Sequence, residues 1–101
     1  MAKVSLIAKL PTKPGKRDEL VAAFGPMMAA VNEEAGTEIY ILNLDNGDEN
    51  VAWVYELYTD ADAMGLHGGS DAMAALFASI GDLLDGAPEL IMATPVAGKG
   101  L

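Results

Sequence analysis

Val51-Ala52-Trp53-Val54-Tyr55-Glu56-Leu57-Tyr58-Thr59 is rich in β-branched and aromatic residues and reads as a β-strand. Side chains alternate across a sheet, so Ala52, Val54, Glu56 and Tyr58 share one face, and Trp53, Tyr55 and Leu57 share the other. Both faces are mostly apolar. A strand with one face in water does not carry Trp, Tyr and Leu there. One face is therefore expected under helices and the other under a second copy of the chain.

The flanking sequence supplies the rest of that sheet. Residues 37–44 (Thr-Glu-Ile-Tyr-Ile-Leu-Asn-Leu) form a second strand, joined to the first by the loop Asp45 to Asn50, where Asn46-Gly47 is expected to supply positive φ. Val4 to Leu10 reads as a strand covered on both faces, ended by Pro11 and Pro14-Gly15. Leu20, Phe24, Met28 and Val31 recur at helical spacing and predict a helix over 17–34, kinked or broken at Gly25-Pro26 and stopped by Gly36. Thr59 or Asp60 is expected to cap a short helix to about Leu66. Ser70 is expected to cap another, with Met73, Phe77, Ile80 and Leu84 as its buried stripe, before a last strand from Glu89 to Val96. The order β-α-β-β-α-β predicts an α+β, ferredoxin-like domain over residues 1–101, with a four-stranded antiparallel sheet.

Composition narrows the partners. The 101 residues carry a formal charge of −9, and 51% are hydrophobic, including seventeen alanines. A field of that sign repels phosphate, so neither nucleic acid nor an anionic membrane surface is an expected partner. All 15 acids lie between residues 18 and 98, a stretch without Lys or Arg, whereas residues 1–17 hold five bases and no acid. The absence of cysteine excludes disulfides and thiolate metal sites. No apolar run is long enough for a signal or a spanning helix, and a cytoplasmic location is expected. A compact monomer of this mass exposes about 5,400 Å².

Lys13-Pro14-Gly15-Lys16, Glu34-Ala35-Gly36-Thr37, Tyr55-Glu56-Leu57-Tyr58, Asp62-Ala63-Met64, His67, Ser70 and Pro95-Val96-Ala97-Gly98-Lys99-Gly100 occur in this order over almost the whole chain. In that order and spacing the chain resembles the antibiotic-biosynthesis or quinol monooxygenase family of dimeric α+β barrels. The resemblance implies two sheets packed face to face across a homodimer, with Trp53, Tyr55 and Leu57 inside the barrel. It also implies a cleft in each protomer between sheet and helices, toward which Val54, Glu56 and Tyr58 look.

His67 is the sole histidine and the natural proton carrier near neutral pH. Its bland alternative is a helix-terminal side chain bonded to a backbone carbonyl. Glu56, expected buried on the cleft face, needs a partner or a raised pKa. With no Lys or Arg between 18 and 98, His67 is the economical partner, and Tyr58 offers a phenol donor beside it. Phe24, Met27, Met28, Val54, Met64, Met73 and Phe77 are expected to line the cleft around a small aromatic or apolar ligand.

The departures from the family are as informative. Its aromatic-polyketide members line their substrate with an Asn, a Trp, a Tyr and an Arg. Counted without gaps, those places hold Val54, Tyr58, Met64 and Ala78 here. The haem-degrading branch uses an Asn and a His where this chain has Ala8 and Phe77, and with one histidine haem is not expected. No metal and no cofactor are expected. His67-Gly68-Gly69 lacks a Gly-x-Ser-x-Gly partner, the acidic stretches at 45–50 and 60–62 read as solvated loops, and no dinucleotide or P-loop pattern occurs. The resemblance implies a cofactor-independent monooxygenase acting on a hydroquinone- or anthrone-like substrate with O₂. The alternatives are a non-enzymatic dimeric barrel that binds a small apolar ligand, and an isomerase or lyase on the same fold.

Overall fold

The computed structural model describes residues 2–101. Its elements are β1 (Val4–Pro11), α1 (Arg17–Ala23), α2 (Gly25–Val31), β2 (Thr37–Leu44), β3 (Val51–Tyr58), α3 (Ala61–Gly68), α4 (Asp71–Ile80) and β4 (Glu89–Ala93). The strands form one antiparallel sheet in the order β2-β3-β1-β4, the ferredoxin-like arrangement expected from the element order. No helix among the described residues is long and apolar enough to cross a membrane.

The 17–34 segment is broken beside Gly25-Pro26 into two helices, the break and not the kink among the two outcomes expected there. Pro26 sits in the first turn of α2, where its missing N–H costs nothing, and Phe24 is the hinge between them. Asp60 caps α3 by accepting from the Ala63 amide, and Ser70 caps α4 by accepting from Met73. The β2–β3 loop differs from expectation, since Gly47 does not adopt positive φ. Instead Asp45 Oδ1 accepts from the Gly47 and Asp48 amides, and its other oxygen accepts from the Trp53 indole. Arg17 donates to three carbonyls of the same hairpin end. The acidic loop is thus organised by its own side chains and by one of the N-terminal bases.

The helices cover one face of the sheet. Leu10, Leu20, Phe24, Met27, Ala52, Val54, Leu76 and Ile80 form the core there. On α4 the buried stripe runs through Leu76 and Ile80. Phe77, expected within it, is half exposed, because one residue of rotation moves a side chain about 100° round a helix. The other face of the sheet carries Ile7, Ile39, Ile41, Trp53, Tyr55 and Ile91, a Leu57 already buried within the chain, and the polar Ser5, Lys9, Asn43 and Glu89. Ile41 and Ile91 are 49% and 54% exposed. The accessible surface, 6,013 Å², exceeds the ~5,400 Å² of a compact monomer of this mass. The open sheet face and the exposed residues after β4, which stops at Ala93 short of the expected Val96, contribute to that excess.

Candidate active site

Between the sheet and the helices lies an open cleft of about 210 Å³. Its floor comes from alternate residues of β1 and β3, with Tyr40 of β2 and Leu90 of β4 beside them, and α3 and α4 form its far wall. Phe24, Val54, Met64 and Phe77 line it, as do Met73 and Leu90. Met27 and Met28, both expected in the lining, lie elsewhere: Met27 is fully buried in the core and Met28 packs against it. Both sit on α2, whose inward face meets other helices and the sheet instead of the cleft.

Polar groups gather at one end of this apolar cleft. His67, Glu56, Tyr58 and Tyr40 all border it, and the first three are almost fully buried. Tyr40 and Tyr58 flank the imidazole, with ring centroids 5.2 and 5.5 Å away. The two phenols reach the same point because Tyr40 on β2 stands opposite Glu56 on β3, two residues before Tyr58.

The pairing differs from the expected one. His67 Nε2 lies 3.9 Å from Glu56 Oε1, beyond hydrogen-bond distance. Tyr58 donates its hydroxyl to Glu56 instead, so its phenol is already engaged within the protein. The partner of His67 is Glu34, whose Oε1 is 2.8 Å from Nδ1. Thr37 donates to the same oxygen at 2.8 Å. The bland expectation of a backbone carbonyl partner is replaced by a carboxylate, while His67 Nε2 is buried without any partner.

Glu34 was legible only as part of the Glu34-Ala35-Gly36-Thr37 stretch, and nothing in its spacing from His67 announced contact. Gly36 brings the two together. A Cβ there would stand 2.4 Å from Ala63 Cβ, so only glycine lets the α2–β2 turn lie against α3. Tyr40 could have been found from β2 alternation, which puts it on the face of Leu42 and opposite that of Ile39 and Ile41.

The electrostatics follow from burial. Desolvation pushes the Glu56 carboxyl up, while the Tyr58 hydrogen bond and the nearby His67 pull it down. Burial, reinforced by Glu56, pushes the Tyr58 and Tyr40 phenols up, so both remain neutral donors. No Lys or Arg borders the cleft. The N-terminal bases act elsewhere: Lys3 pairs with Glu38, Lys16 with Glu19, and Lys9 lies over the Trp53 ring. No group of three His, Asp or Glu side chains gathers as a metal site among the described residues.

A four-stranded antiparallel sheet roofed by helices, with an apolar cleft headed by one imidazole, places the chain in the ferredoxin-like α+β class. Residues 3–79 match the family model of the antibiotic biosynthesis monooxygenases, and the chain belongs to that family. A Caulobacter crescentus protein assigned to those monooxygenases is 32% identical, with 95% of this chain and 92% of that one covered and a TM-score of 0.89. Rv0793 from Mycobacterium tuberculosis shares the fold at 23% identity and a TM-score of 0.89, covering 98% of this chain and all of that one. A Nitrosomonas europaea protein likewise assigned shares it at 13% identity and a TM-score of 0.90, over 98% and 95% of the two chains. No functionally curated protein matches the chain.

Proposed function

We propose that the protein is a homodimeric, cytoplasmic monooxygenase that oxidises a neutral phenol or hydroquinone with O₂ and without a bound cofactor. One observation carries this reading: the buried, unpartnered Nε2 of His67 at the polar end of an otherwise apolar cleft. Such a nitrogen calls for a hydrogen-bond donor from a ligand. The absence of Lys and Arg from the lining, with Glu56 beside the imidazole, disfavours an anionic ligand. The cleft is smaller than the ~300–1,000 Å³ of drug-sized sites, which favours one or two rings over a three-ring anthrone.

In this mechanism His67 Nε2 takes the phenolic proton. The electron-rich phenolate reduces O₂, and a peroxide forms at a ring carbon that carries hydrogen. Its O–O bond then breaks. One oxygen stays as the quinone carbonyl, and the other leaves as water with the ring hydrogen and the phenolic proton. Tyr40, whose hydroxyl is not taken by Glu56, donates to the developing oxyanion. The apolar walls keep bulk water from the intermediate.

The bare sheet face supports the homodimer. Its exposed Ile41 and Ile91, with Tyr55 and Ile7 between them, form an apolar surface of the kind a second copy covers. The cysteine-free composition supports a reducing compartment.

Oxygen uptake with a panel of neutral one- and two-ring phenols tests the function. Wild type is expected to consume O₂, and His67→Ala to lose about 10²–10⁴-fold in kcat. A non-catalytic ligand-binding role draws on Val54 and Met64, apolar residues standing where polyketide-oxidising relatives carry polar ones. Ligand-induced melting shifts with no O₂ uptake across the panel would favour it.

A further inference from the structure

We propose that Glu34 is the positioning residue of the site. It fixes His67 with the proton on Nδ1 and the lone pair of Nε2 in the cleft, and it steadies the imidazolium while the ring holds the substrate's proton. The role rests on His67 acting as the base proposed for phenol oxidation, and deepens it.

The argument begins with hydrogen-bond capacity. Glu34 Oε1 lies 2.8 Å from His67 Nδ1 and accepts from the Thr37 hydroxyl at the same distance. An ionised carboxylate only accepts, so Nδ1 must carry hydrogen. In the neutral ring that leaves Nε2 bare, and this atom is buried with no partner. A carboxylate behind an imidazole selects the tautomer and steadies the imidazolium that forms when the other nitrogen takes a proton.

The second observation is topological. Behind the imidazole lies another cavity, of about 620 Å³, bordered by Glu33, Glu34, Thr37, Asp60 and Asp62. Among the described residues, His67 alone borders both this cavity and the apolar cleft. Glu34 is partly exposed, with 22% of its side chain accessible, whereas the His67 ring is 2% accessible. Glu34 therefore keeps contact with solvent while the ring that it holds faces the apolar cleft. The Nδ1 hydrogen stays on the ring throughout, and the proton taken at Nε2 returns to the departing peroxide oxygen to form water, which leaves the same tautomer ready for the next turnover. The titratable groups facing the ring are Glu34 from the α2–β2 turn, Glu56 and Tyr58 from β3, and Tyr40 from β2.

Because His67 is the only histidine, ¹⁵N-histidine labelling gives a single imidazole to follow by NMR. In the neutral ring, wild type is expected to show hydrogen on Nδ1 and a free Nε2. Glu34→Ala is expected to relax to a tautomer mixture, and Glu34→Gln, whose amide oxygen still accepts, to keep the wild-type tautomer. With a phenol that wild type oxidises, Glu34→Ala is expected to lower kcat about 10–100-fold, the scale of other orienting partners, with KM little changed. Glu34→Gln is expected to recover part of that loss and to shift the pH profile. An Nε2–H tautomer in wild type, or a tautomer and kcat indifferent to Glu34→Ala, would overturn the proposal. The expected tautomer response without turnover by wild type would leave the positioning role standing and remove the oxidase reading. Should Glu34→Ala not fold, Thr37→Val, which removes one support of the carboxylate, is expected to move the tautomer and pH profile in the same direction.

Discussion

The two faces of one sheet are both apolar, yet they are finished in different ways. The face under the helices is closed around a core except at the cleft, where Glu56, Tyr58, Tyr40 and His67 concentrate the polarity at one end. The opposite face has isoleucines and aromatics but no helix above it, and its few polar groups lie toward its edges and ends. A buried carboxylate on an apolar face carries a desolvation cost that packing does not require, so it marks chemistry. A large apolar surface left open on the other face is the kind that marks assembly.

Three changes press on that difference, from the largest effect to the smallest. Ile41→Lys combined with Ile91→Lys puts two charges on the open face. A change from dimer to monomer is expected by size-exclusion chromatography with light scattering, and an unchanged mass would remove the assembly role of that face. Tyr58→Phe acts on the other face. It leaves Glu56 buried without its donor and is expected to cost about 1–3 kcal/mol in urea denaturation. No loss would mean that Glu56 finds another partner. The third effect is a pH slope. The Glu56 carboxyl is pushed up in the folded state, so the unfolded chain loses its proton first as pH rises. Stability from this group is present at low pH and falls as pH climbs from the ordinary carboxylate range to the raised folded value. Glu56→Gln is expected to remove that slope, seen as a flatter midpoint profile above the ordinary carboxylate range.

The sheet was legible because its signals are local. Alternation in β3, caps at Asp60 and Ser70, and Pro26 at a helix start each act within a few residues. The composition of the site was legible to the same extent: Glu56 and Tyr58 share a strand face by period alone. Its wiring was not. Whether His67 met Glu56 or Glu34 depended on how closely the α2–β2 turn approaches α3, which Gly36 decides through a contact 27 residues away. The β2–β3 loop illustrates the same limit. Asn46-Gly47 signals a positive-φ turn, but Asp45 caps the loop amides and holds the Trp53 indole, and these contacts set its shape.

The central claim is that the helix-covered face performs oxygen chemistry through His67, and oxygen-isotope labelling tests it most directly. With ¹⁸O₂ and a neutral one- or two-ring phenol, wild type is expected to form a quinone carrying one ¹⁸O atom, with the other in water, while His67→Ala forms none above background. Product that takes its new oxygen from H₂¹⁸O, or label incorporation unaffected by His67→Ala, would contradict the account.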